Sequence, residues 1–133
     1  MSDRRAPGYW GAAVEDWVIQ TYDLERTYET VEGVRLDAKT STGRPVEIKA
    51  VSSNRRGGRS ETVSFKIWQD QHETVESTGG LYVFVSYEIL PAGRIGIKDH
   101  IGIPASDLDP EWYGRTEPRG EPQAEIKTQS LFQ

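Results

Sequence analysis

Residues 81 to 87 (LYVFVSY) are apolar, aromatic or β-branched at nearly every position, and two glycines, Gly79 and Gly80, stand just before them. A strand with one face in water alternates polar and apolar residues, whereas this one has almost no polar face. It must therefore be the central strand of a sheet covered on both sides, and the rest of the chain must supply the covering layers. With 133 residues there is material for one such domain and not for two.

The remaining segments fit that demand. Trp10, Val14, Trp17 and Val18 recur at three- and four-residue spacing, which predicts an amphipathic helix over 8–22 that also carries Glu15. From about Thr27 to Thr40 the pattern changes to alternation, with Val34, Leu36 and Ala38 on one face and Arg35, Asp37 and Lys39 on the other. Thr40 to Pro45 is a turn by its Gly and Pro content. Val46, Ile48 and Ala50 then alternate inward, so 27–40 and 45–51 are expected to pair as a hairpin. Residues 52–60 hold no apolar side chain and read as a basic loop. Phe65, Trp68, His72 and Val75 predict a second helix over 64–77, capped by Ser64 and stopped by Gly79 and Gly80. A further strand is expected over 94–103. Beyond Pro104 the prolines and acids suggest an irregular arm, with a short strand at 126–132. The organisation is thus an α/β domain around one sheet, with a core at 1–103 and an arm at 104–133 packed on it.

Composition narrows the function classes. No cysteine is present, which excludes a disulfide framework, a thiolate zinc site and a cysteine nucleophile, and which fits a cytoplasmic protein. Two histidines without metal spacing argue against zinc. The first eleven residues are polar, and no run is long enough to span a membrane. The net charge of −5 hides an asymmetry. Between Arg35 and Lys66 lie eight of the 16 basic residues and three of the 21 acidic ones, so the rest of the chain holds eight basic and 18 acidic residues. An acidic body around one basic segment suits a local polyanion site. Arginine outnumbering lysine on such a body also hints at a salt-adapted host.

The expected hairpin brings Asp37 from its first strand beside Glu47 and Lys49 from its second. Two carboxylates share a small volume only where a cation screens them, and hard oxygen donors suit Mg²⁺, with Mn²⁺ as a substitute. The Lys49 ammonium, one pleat away, can orient a water or offset developing negative charge. The competing reading is a solvent-facing ladder of cross-strand charges, each pair worth about 0.2–1 kcal/mol.

The order of a glutamate-bearing helix, Asp37 on one strand and Glu47-Ile48-Lys49 on the next resembles the PD-(D/E)xK nucleases, among which the archaeal Holliday-junction resolvases look nearest. The resemblance covers about 8–87. It implies a restriction-endonuclease-like fold, a mixed central sheet flanked by helices, and a magnesium-dependent DNA endonuclease without organic cofactor. It also implies that Asp37, Glu47 and Glu15 ligate the metal, that Lys49 assists the water, and that a helix glutamine, Gln71 or Gln69, belongs near the site. Leu36 stands where the family's name has proline. The tripeptide itself is unspecific, since Glu125-Ile126-Lys127 repeats it without a hairpin.

Around this centre, Arg55, Arg56 and Arg59 in the basic loop are expected to contact phosphates, as are Lys66, Gln69, Gln71 and His72 on the second helix. His72 also aligns with Phe65 and Trp68, so a core histidine is an equal reading. Trp10, Trp17 and Trp68 lie in helical stripes and are expected in the core, leaving Trp112 as a dimer contact. Junction resolution takes two cuts and implies a twofold homodimer on DNA. The rivals are a restriction- or repair-type nuclease of the same fold, and a DNA-binding module without chemistry.

Overall fold

The computed structural model describes residues 9–27, 30–31, 34–53, 64–116 and 121–132. Its elements are α1 (Tyr9–Thr21), β1 (Glu25–Arg26), β2 (Thr30–Val31), β3 (Val34–Arg35), β4 (Ala38–Lys39) and β5 (Pro45–Ser52). They continue with β6 (Ser64–Trp68), α2 (Gln69–Ser77), β7 (Leu81–Leu90), β8 (Arg94–Pro104), β9 (Tyr113–Thr116), β10 (Glu121–Lys127) and α3 (Thr128–Leu131).

The main sheet has the order β1-β4-β5-β7-β8, with β5 and β7 parallel and the other neighbours antiparallel. The all-apolar segment is β7, near the middle, and alternate residues feed two separate cores. Val83, Val85 and Tyr87 join Val46, Ile48 and Ala38 beneath Val14 and Val18 of α1. Tyr82 and Phe84 point the other way, into a cluster with Val75 of α2 and Phe65, Ile67 and Ala124 of a second sheet. That second sheet has the order β6-β10-β9. The layers are therefore α1, the five-stranded sheet, and α2 beside the small sheet. Among the described residues no helix is long and apolar enough to cross a membrane.

Three expectations change. The strand read over 27–40 is broken into short pieces, with β2 and β3 forming their own two-stranded ribbon and only β4 pairing with β5. Leu36 belongs to the second cluster and Ala38 to the first, although they are two residues apart. The backbone therefore turns at Leu36–Asp37 instead of running flat. The helix read from Ser64 begins at Gln69, because Phe65 and Ile67 are buried at period two and β6 pairs with β10. Ser64 caps nothing and donates its hydroxyl to Glu125 Oε2 at 2.7 Å. Beyond Pro104 the chain forms two strands, and the final one runs over Glu121–Lys127 with a helical turn after it.

Two glycines are needed where they stand. Gly43 has φ +88° in the turn between β4 and β5, where its N–H donates to the Thr40 carbonyl at 2.9 Å. At Gly80 the constraint is space. A Cβ there would lie 2.8 Å from the Val75 carbonyl oxygen and 3.1 Å from that of Pro45, both backbone atoms. Gly80→Ala is therefore expected to cost about 2 kcal/mol by forcing α2 away from β5. A urea denaturation midpoint equal to wild type would show that this junction yields freely.

Candidate active site

On β5 the residues alternate between the two covered faces. Val46 and Ile48 enter the α1 side, and Glu47 and Lys49 face the α2 side. The parallel register sets Glu47 beside Tyr82 and Lys49 beside Phe84. Glu47 is consequently only 6 % exposed. This removes the reading of a solvent-facing charge ladder.

Gln71, in the first turn of α2, bridges the two charged residues. Its Nε2 donates to Glu47 Oε2 at 2.9 Å, and its Oε1 accepts from Lys49 Nζ at 2.8 Å. Lys49 Nζ lies 3.3 Å from the same Glu47 oxygen. The other oxygen, Glu47 Oε1, is buried and has no hydrogen-bond partner. Leaving a buried acceptor unpaired costs about 1–3 kcal/mol, so such an atom calls for a missing partner.

Asp37 sits where the chain turns into β4. Ala38 pairs with Val46, so the same register continued by one residue sets Asp37 across from Glu47. Its Oδ2 accepts the Ile48 backbone N–H at 2.9 Å, taking the place of a ladder carbonyl. Burial pushes the Glu47 carboxyl up to about 7, Lys49 opposes this, and the Asp37 charge adds to it. A buried carboxylate with a second carboxylate beside it favours taking up a positive charge, either a proton or a cation.

Glu15 approaches from α1 on the opposite side. Burial raises its carboxyl, with Asp37 the next contribution, while Arg26 pulls it down. Arg26 Nη1 donates to Glu15 Oε1 at 2.8 Å, and its other terminal nitrogen pairs with Asp16. Glu15 thus senses the centre electrostatically but is held by an arginine of β1 that no local pattern pointed to. Among the described residues no group of three or more His, Cys, Asp or Glu side chains converges as a ligand set. The convergence is a pair, Asp37 and Glu47, with Lys49 and Gln71.

The remaining candidates separate. Gln69 opens α2 and is half-buried, while Gln71 reaches the site. Lys66 is exposed on β6, opposite Glu125, and not on a helix. His72 is 3 % exposed, with Nδ1 3.0 Å from the Tyr82 hydroxyl and its ring stacked on that of Tyr82. Burial lowers its pKa, so it is a neutral core histidine and not a surface contact. Trp112, expected at a dimer contact, packs on His72 with ring centres 5.5 Å apart. Arg55, Arg56 and Arg59 lie outside the described residues. The second Glu-Ile-Lys lies in β10, where Glu125 accepts from Ser64 and Tyr113.

A family model described as a PD-(D/E)XK nuclease superfamily domain matches residues 1–133. No curated protein and no solved structure gives a match. Asp37 across a strand pair from Glu47-Ile48-Lys49, within a mixed five-stranded sheet flanked by helices, accords with that assignment, and the chain belongs to the PD-(D/E)XK nuclease superfamily.

Proposed function

We propose that this nuclease-superfamily domain is a metal-dependent endonuclease that hydrolyses DNA phosphodiester bonds, with Asp37, Glu47 and Lys49 as its working residues. The observation that supports it most is the buried, unpartnered Glu47 Oε1 in the field of Asp37. Two carboxylates suit Mg²⁺ or Mn²⁺, which keep several waters and accept phosphate oxygens. When bound, such an ion supplies Lewis-acid activation of water and of the phosphate.

The chain's own groups would do the rest. Asp37 Oδ and Glu47 Oε1 would hold the cation. Gln71 keeps the Glu47 carboxylate and the Lys49 ammonium in fixed orientation, so neither must be ordered at the moment of reaction. Lys49 Nζ, a charged donor on rigid β5, would orient the attacking water and offset charge on the phosphate oxygens. Glu15 would serve as an outer carboxylate, reached when Arg26 releases it.

The finer reading is a structure-specific enzyme of the Holliday-junction type, acting as a twofold homodimer in the cytoplasm, with Arg55, Arg56 and Arg59 contacting phosphates. Duplex, single-stranded, flap and four-way-junction DNA, each with Mg²⁺, Mn²⁺ or EDTA, test it. Paired nicks confined to the junction, abolished by EDTA and by Glu47→Ala, are the expected result. Metal-dependent cutting of another substrate would replace the resolvase by a restriction- or repair-type nuclease. No cleavage in any arm, including molar KCl for a salt-adapted host, would leave a DNA-binding module.

A further inference from the structure

The three-stranded sheet turns Phe65, Ile67, Ala124 and Ile126 toward the second core. Its alternate residues must then face outward. The register arranges them in rows: Trp68, Gln123 and Tyr113 across all three strands, then Lys66 with Glu125, then Ser64 with Lys127. Neighbouring strands lie about 4.8 Å apart, so the first row spans about 10 Å with an amide between two aromatic residues.

This face is more than a solvated surface. Tyr113 is 45 % exposed, the one large hydrophobic side chain that is exposed among the described residues. Lys66 and Lys127 are exposed beside it. Glu125 between them stays an anion, its oxygens accepting from the Ser64 hydroxyl at 2.7 Å and the Tyr113 hydroxyl at 2.7 Å, so the two lysines outnumber it by one charge. Gln123 is 5 % exposed, and its Oε1 is buried without a hydrogen-bond partner. Its Nε2 donates to the Tyr113 hydroxyl at 3.3 Å, so the Tyr113 ring reaches along β10 past this amide.

We propose that the outer face of β6-β10-β9 is a binding site for an unpaired strand of nucleic acid, whose bases stack on Tyr113 while Lys66 and Lys127 meet its phosphates. Stacking on aromatic rings requires a free base face, which a duplex does not offer, and it tolerates any sequence. The position is apt. Trp68 immediately precedes α2, and Gln71 of that helix touches Glu47 and Lys49, so at most about 11 Å of chain separates the platform from the site. The choice of nucleic acid as ligand rests on the reading of that site as a nuclease.

Fluorescence anisotropy in EDTA would test it, with a labelled single-stranded oligonucleotide and the same strand made abasic. Wild type is expected to bind the base-bearing strand about tenfold more tightly. Tyr113→Ala should abolish that difference and Tyr113→Phe should keep it, while Lys66→Ala should weaken both strands alike. Equal binding of the two strands by wild type, or a preference untouched by Tyr113→Ala in a variant with unchanged thermal midpoint, overturns the proposal. The two readings fail separately. Cleavage without a Tyr113-dependent base preference leaves the nuclease and removes the platform, and a Tyr113-dependent preference without cleavage does the reverse.

Discussion

Lys49→Ala is expected to lower DNA cleavage by about 10²- to 10⁴-fold while DNA binding changes little. The Lys49 side chain is mostly buried, and its ammonium contacts Gln71 Oε1 and Glu47 Oε2. Removing it deletes a charge placed within hydrogen-bond reach of the buried carboxylate. It also lets the Glu47 carboxyl, which Lys49 holds down, rise further, so a cation would compete with a more tightly bound proton. Part of the loss should therefore recover at higher pH, as Glu47 ionises without its partner. Lys49→Arg keeps the charge but spreads it over a planar fork, and should recover activity only in part. Single-turnover cleavage rates against pH, with binding measured separately in EDTA, give the comparison. A rate within tenfold of wild type would remove Lys49 from the mechanism.

The second large effect concerns stability. Burial pushes the Glu47 carboxyl up to about 7, against 4.5 as its ordinary value. Between those values the folded chain holds a proton that the unfolded chain has released, so raising the pH favours unfolding. This residue alone is expected to withdraw about 3 kcal/mol as pH rises from about 4.5 to about 7. Glu15, also raised, acts in the same direction. His72, lowered by burial, acts oppositely, because the unfolded histidine binds the extra proton. The difference between wild type and Glu47→Gln isolates the carboxylate, since the amide does not titrate. Urea denaturation in EDTA from pH 4.5 to 8 should show this difference growing with pH, then shrinking above pH 7 when Mg²⁺ replaces EDTA. A pH-independent difference would mean that Glu47 titrates normally.

Where a short window of chain contains the whole physical signal, the elements were legible. The Trp10/Val14/Val18 stripe marks α1, unbroken apolar character marks β7, and the Glu47–Lys49 spacing sets both charges on one side of β5. Residues 64–77 carry two patterns at once. Phe65, Trp68, His72 and Val75 fit a helix, while Phe65 and Ile67 fit a strand. The strand prevails because β10, with Ile126 opposite Phe65, supplies backbone partners from 61 residues away. No local window contains that partner. The break at Leu36–Asp37 has a similar origin, since two cores on opposite faces of the sheet each draw in one of its neighbours.

By itself, then, the sequence determined which residue types form the candidate site, that they lie on paired strands, and that a covered sheet supports them. These follow from side-chain period and from turn chemistry, both short-range. The tertiary structure alone decided that Glu47 is buried with an unpaired oxygen, that Gln71 holds it to Lys49, and that Arg26 holds Glu15. It also decided that β6 completes a second sheet. Each of these depends on desolvation and on contacts between segments far apart in the chain, and such terms exist only once the layers have packed.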